Sequence, residues 1–218
     1  MRHPARHHAF LRQPVAALLA IGAGCAILAI GAATSARANP ACPALLQHTL
    51  PRLQDEKPVN LCAHAGKVVL VVNTASYCGY TTQYQSLEAL SERYRSQGLV
   101  VLGFPSNDFS QEPGSGAAIA EFCENTFGVK FPMFAKSSVS PGAGPVVNPL
   151  FAALAQRSGQ APTWNFHKYL VSRDGQTVRS VASAVDPKDP VFTRDLEKLL
   201  KAKLDYSVRI EPYSSNSD

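Results

Sequence analysis

Two unbroken apolar runs stand out along the chain. KVVLVVNT, from Lys67 to Thr74, and LVVLGFP, from Leu99 to Pro105, are rich in β-branched residues. Runs of this kind suit strands buried on both faces. Between them, Leu87, Leu90 and Tyr94 recur at helical spacing, with Glu88 and Arg95 on other faces and Gly98 where the helix should stop. A strand, a helix of about four turns and a second strand predict a right-handed βαβ unit.

The pattern continues downstream. SNDFSQEPGSG (106–116) is a turn-rich loop, and AAIAEFCENTFG predicts a helix ending at Gly128. FPMFAK (131–136) predicts a short strand. NPLFAALAQRSG suits a helix with Pro149 in its first turn and Gly159 past its end. HKYLVSRDGQTVRSVAS predicts a hairpin around Asp174-Gly175. DPVFTRDLEKLLKAKL is a terminal amphipathic helix with Phe192, Leu196, Leu199 and Leu200 on one side. EPYSSNSD (211–218) is expected to be a disordered tail. The order β-α-β-α-β-α-β-β-α, with parallel strands first and an antiparallel hairpin closing the sheet, predicts an α/β thioredoxin-like fold. The sheet is mixed and flanked by helices, with extra N-terminal strands.

Charge changes the picture only at the N-terminus. The net charge of +5 invites a nucleic-acid partner, but the first 38 residues hold Arg2, Arg6, Arg12 and Arg37 and no acid. The remainder carries 17 basic against 16 acidic side chains, so nucleic-acid binding is set aside. The same segment has the parts of an export signal: a basic start, an apolar run from Pro14 to Ala33, and Ala36-Arg37-Ala38 before Asn39. An uncleaved membrane anchor is the alternative, since the run is long enough to span a bilayer. Cys25 is not read as a lipidation site, because Gly22 stands where a Leu is usual and more apolar residues follow. The expected organisation is a signal or anchor over 1–38, one domain over 39–210 and the tail. The product is exported, periplasmic or secreted.

Export allows disulfides. Cys42 and Cys62 flank a short segment expected to form a hairpin closed by a disulfide. No C-x-x-C or Cys/His cluster has metal spacing, so neither a metal nor another cofactor is expected. Cys78 stands between the first strand and its helix. There, unpaired backbone N–H groups and the positive end of the helix dipole favour thiolate, the reactive form. Ligands of α/β sheets meet this carboxyl end of the strands. Thr81 occupies the position that would complete a C-x-x-C, so a single activated thiolate is left to react with a small oxidant or a distant partner.

NTASYCGYTTQY, GFPSNDFSQEPGS, IAEFC, FGVKFPMFAK and WNFHKYLVSRDG stand in the order and spacing of the glutathione peroxidases. The resemblance spans Val59 to about Pro190. It implies a thioredoxin-like fold and reduction of hydrogen peroxide and organic hydroperoxides. It makes Cys78 the peroxidatic nucleophile, with Gln111, Trp164 and Asn165 as neutral donors that hold the thiolate and then the developing oxyanion. The family pattern has two residues between the loop Phe and this Gln. Here only Ser110 separates Phe109 from Gln111.

The resemblance also makes Cys123 the resolving cysteine of the thioredoxin-dependent branch, pairing with oxidised Cys78 once its helix loosens. The segment before W-N-F is compact, which implies a monomer and a thioredoxin-like or other thiol reductant rather than glutathione. There are two alternatives: a thiol–disulfide oxidoreductase acting on proteins, against which Thr81 in place of a second active-site cysteine argues, and a non-enzymatic peroxide sensor, which needs the same cysteines.

Overall fold

The structure is a computed structural model, and it describes residues 41–202 apart from Pro145. The expected signal or anchor over 1–38 and the tail over 211–218 lie outside the described residues, as do both ends of the expected 39–210 domain.

A short hairpin comes first, with β1 (Thr49–Pro51) antiparallel to β2 (Pro58–Asn60). Cys42 and Cys62 are joined by a disulfide that closes this segment, with their Cα atoms 5.2 Å apart. Then follow β3 (Val68–Thr74), α1 (Gln83–Tyr94), β4 (Leu99–Pro105) and α2 (Gly116–Phe127). After these come α3 (Pro149–Ser158), β5 (Lys168–Val171), β6 (Val178–Val181) and α4 (Pro190–Lys201).

The main sheet has the order β4-β3-β5-β6. β3 pairs parallel to β4, with Leu70 opposite Val101, and antiparallel to β5, with Leu70 opposite Leu170. Every side chain of β3 and β4 is buried, because helices cover both faces. The period of two divides them. Leu70 and Val72 enter a core with α1, α2 and α4, through Leu87, Ile119 and Leu196. Val69 and Val71 enter a second core with α3 and the N-terminal segment, through Leu150, Phe151 and Leu45.

Helix boundaries follow local chemistry. Asn148 accepts from Leu150 N–H and Asp189 accepts from Val191 and Phe192 N–H, each with Pro next in the chain. Gly98, at φ 92°, ends the turn that follows α1.

The expected FPMFAK strand does not form a regular one. Met133 makes a single parallel bridge to Gly103 of β4, and Phe134 an antiparallel one to Arg52. Pro132 lacks an N–H and can only accept, which it does from Gly103 N–H at 2.9 Å. Leu53 N–H and Ala135 N–H bond across to Met133 and Pro51 carbonyls, so the segment links β1 to β4 rather than extending the sheet. It approaches so closely that a Cβ on Gly103 would collide with Met133 Sδ.

Candidate active site

The chain leaves β3 at Thr74 and turns through Ala75, Ser76 and Tyr77 to Cys78. Cys78 is 8% exposed beside a Tyr77 that is 71% exposed. Cys78 does not directly precede the helix, as the sequence had suggested. α1 begins at Gln83, and successive turns fill the gap: Thr81 N–H bonds to the Cys78 carbonyl, Gln83 N–H to Tyr80 and Tyr84 N–H to Thr81. The donor that reaches sulfur belongs to this turn: Tyr80 N–H lies 3.4 Å from Cys78 Sγ. Thr81 fastens the turn. Its hydroxyl oxygen accepts from Cys78 N–H at 3.0 Å and lies 2.7 Å from the Cys78 carbonyl and 3.0 Å from that of Ala75. In place of a second cysteine, the position holds a structural hydroxyl.

The loop after β4 carries Gln111 to the same place. Ser110 adopts φ 58° and its N–H bonds to the Asn107 carbonyl at 2.9 Å. This left-handed residue, uncommon outside Gly, turns the shortened loop inward. The Gln111 carbonyl then accepts from Tyr77 N–H at 3.1 Å, one residue before Cys78.

The third contribution is the Trp164-Asn165-Phe166 turn before β5. Asn73, a polar residue inside the apolar β3 run, donates through Nδ2 to the Trp164 carbonyl at 3.1 Å, and its backbone carbonyl accepts from Phe166 N–H at 2.7 Å. Phe166 is fully buried at φ 61°, an outlier for a bulky residue. Its ring stands edge-on to Tyr84 at 5.2 Å.

Gln111 and Asn165 meet directly: Asn165 Nδ2 donates to Gln111 Oε1 at 2.8 Å. That bond engages the Gln111 side-chain oxygen and leaves its NH2 group to act as a donor. Trp164 is 42% exposed and its ring lies 5.5 Å from Phe109. Tyr77, next to Cys78 in the chain, and Trp164 are thus large side chains with substantial exposure.

Cys123 lies within α2, 2% exposed, in the same core cluster as Cys78. Both thiols are free, and burial pushes the Cys123 thiol up to about 11. Next to Gln111 is a residue that sequence reasoning quoted but did not use. Glu112 is fully buried, its Oε2 accepts from Ser76 Oγ at 2.9 Å, and desolvation raises its pKa. Nothing in a turn-rich loop signals that a glutamate there is buried. Asn73 did leave a signal, as a polar residue ending an apolar strand.

The family model described as Glutathione peroxidase matches residues 46–155. The protein named "Glutathione peroxidase-like peroxiredoxin gpx1" of Schizosaccharomyces pombe is 43% identical over 155 residues, covering 69% of this chain and 95% of its own. "Hydroperoxy fatty acid reductase gpx1" of Synechocystis is 44% identical over 157 residues, covering 67% and 90%. A thiol:disulfide interchange protein of the thioredoxin family from Chlorobium tepidum superimposes with a TM-score of 0.56 at 16% identity, over 76% of this chain and 99% of that one. That last likeness is one of fold alone.

Proposed function

The chain belongs to the glutathione peroxidase family and is a thiol-dependent peroxidase, and we propose that Cys78 is its peroxidatic nucleophile. The observation that carries this reading is the Gln111–Asn165 hydrogen bond, in a loop tied by its own backbone to Tyr77. It gathers two distant motif amides beside the turn that holds the thiol.

In the first step the Cys78 thiolate attacks one peroxide oxygen. The O–O bond breaks, and the other oxygen leaves as water or an alcohol once it has taken a proton. Cys78 becomes a sulfenic acid. Tyr80 N–H, already on sulfur, supports the thiolate. The Gln111 NH2, with Trp164 and Asn165, supplies neutral donors for the developing oxyanion. In the second step Cys123 displaces the sulfenic hydroxyl as water, giving a Cys78–Cys123 disulfide. Since Cys123 is buried within α2, part of that helix loosens first. A thioredoxin-like or other thiol reductant then returns both cysteines to thiols.

The substrates are hydrogen peroxide and organic hydroperoxides, as the similarity to a hydroperoxy fatty acid reductase supports. The enzyme acts as a monomer in defence against oxidative stress, and residues 1–38 direct it out of the cytosol. The Cys42–Cys62 disulfide supports that address, since such bonds persist in oxidising compartments.

The test is intact mass and peptide mapping of the purified protein after one equivalent of hydrogen peroxide. A Cys78–Cys123 disulfide, and loss of peroxide-dependent thioredoxin oxidation in Cys78→Ser, are expected. A Cys78→Ser variant that still turns over peroxide refutes the assignment. Mapping the mature N-terminus tests export.

A further inference from the structure

In the proposed peroxide step Trp164 supplies an indole N–H, yet the residue is 42% exposed. A side chain so open to solvent holds one rotamer only if its neighbours fix it. Three contacts do so. Asn73 Nδ2 donates to the Trp164 carbonyl at 3.1 Å, fixing the peptide after the ring. Ser140 Oγ donates to the Pro162 carbonyl at 2.9 Å, fixing the backbone two residues before it. Phe109 meets the ring itself, with centroids 5.5 Å apart.

The last two contacts lead back to one carboxylate. Asp108 directly precedes Phe109 in the loop after β4. Its Oδ2 accepts from Val139 N–H at 2.7 Å, from Ser140 N–H at 2.8 Å and from Ser138 Oγ at 3.1 Å. Two consecutive backbone N–H groups on one carboxylate oxygen make a compact anion site, and bonds to a charged acceptor are stronger than neutral ones. The segment that supplies them is itself held. Ser137 N–H bonds to the Pro105 carbonyl at 3.0 Å and Asn148 N–H to the Ser138 carbonyl at 2.8 Å. Val139 is buried in the core against which Phe109 packs. The other two amides have separate ties. The Gln111 carbonyl takes Tyr77 N–H, the Gln111 side chain takes Asn165 Nδ2, and Glu112 takes Ser76 Oγ. One loop is thus fastened to the Cys78 turn at residues 111–112 and to the supports of Trp164 at residue 108.

We propose that Asp108 is a positioning residue for the peroxide step, its carboxylate setting Phe109 against the Trp164 ring and the Ser140 hydroxyl on the Pro162 carbonyl, so that the indole stays where the leaving oxygen develops charge. This rests on Cys78 being the peroxidatic nucleophile and on Trp164 being one of the oxyanion donors. Asp108 touches neither sulfur nor peroxide in this role. It acts through Trp164, in the resting arrangement of the loops and before any change in α2.

The chain has one tryptophan, so its fluorescence reports on Trp164 alone. Oxidation of Cys78 by hydrogen peroxide is followed by rapid quenching with an alkylating agent and mass spectrometry, which gives a second-order rate constant. Asp108→Ala is expected to lower that constant about tenfold. The same variant should raise acrylamide quenching of Trp164 by up to about twofold, as a ring that starts 42% exposed comes loose. A double-mutant cycle then separates positioning from general loosening. Trp164→Phe should lower the rate by itself, and adding Asp108→Ala should lower it no further. Losses that multiply in the double variant overturn the proposal, as does an Asp108→Ala rate within about threefold of wild type with unchanged quenching. If Asp108→Ala does not fold, Ser140→Ala decides, because it keeps the backbone bonds to the carboxylate and cuts only the link to Pro162. It should lower the rate about fivefold and raise the quenching, and an unchanged rate is refutation. Turnover by Cys78→Ser, or an unimpaired Trp164→Phe, removes the peroxide-step reading itself. A normal Asp108→Ala beside an impaired Trp164→Phe removes only the role of Asp108.

Discussion

Lys168 follows His167 into β5 and is fully buried, its Nζ donating to the Ser183 carbonyl at 3.2 Å and the Val185 carbonyl at 2.7 Å. Ser183 O also accepts from Gln83 Nε2, so one carbonyl joins the lysine to the start of α1. Burial lowers the Lys168 pKa from an ordinary 10.5 to about 7, with Asp186 opposing that shift. The sign follows directly. Between pH 7 and 10.5 the unfolded chain carries a proton that the folded chain has shed, so stability rises with pH and is lost as pH falls toward 7. A shift of about 3.5 units corresponds to about 5 kcal/mol in all. From pH 7 to 8.5 the gain is about 1.6 kcal/mol. Above pH 9 it meets opposition from Cys123, kept protonated to about 11. The assay is urea unfolding at constant m from pH 7 to 8.5, on wild type and Lys168→Met. Wild type should gain about 1.6 kcal/mol over this interval and the variant should not. Equal pH slopes in the two proteins would refute a buried lysine titrating near neutrality.

Three further outcomes follow from the contacts. Replacing both Cys42 and Cys62 with Ser opens a loop of sequence separation 20 and should cost about 3 kcal/mol of stability, read by urea unfolding, while peroxidase activity persists. Gly103→Ala places a Cβ against Met133 Sδ and should cost about 1–3 kcal/mol in the same assay, with Met133→Ala relieving the collision. Asn165→Ala frees the Gln111 amide to rotate and should lower kcat/KM for peroxide roughly a hundredfold in steady-state kinetics, with the Cys78 thiol still present by mass.

What could be read from the sequence divides by physical cause. β4 spans Leu99–Pro105 as expected, and β3 begins one residue after Lys67, because a strand buried on both faces must be apolar throughout. Pro149 and Gly159 bounded α3, because a first-turn proline and a left-handed glycine act locally. FPMFAK was over-read: its residues suit a strand, but a strand needs a partner along its length, and this segment meets β4 at one point. The Gln111–Asn165 contact joins residues 54 apart in sequence. The family motifs could name both residues, yet no spacing could reveal that one holds the other. Glu112 was hidden for the opposite reason. A glutamate among Ser, Gly and Pro reads as solvated, and its one side-chain partner, Ser76, arrives from the turn after β3.

The four cysteines Cys42, Cys62, Cys78 and Cys123 allow three ways of pairing completely, and the sheet selects among them. Alternate residues of β3 send Val69 and Val71 to one core and Leu70 and Val72 to the other. Cys42 packs against the core of Val69 and Val71, while Cys78 and Cys123 lie in that of Leu70 and Val72. Thiol–disulfide exchange requires a thiolate to reach a disulfide sulfur along the S–S axis. A fully buried strand with partners on both sides bars that approach in the folded state. On the proposed cycle, a reductant serving Cys78 and Cys123 would therefore cycle them without drawing Cys42–Cys62 into exchange. The proposed loosening of α2 would also leave the N-terminal staple in place, because that staple packs on the other side of β3. On that proposal one segment would open at each turnover while the rest of the fold keeps its covalent anchor.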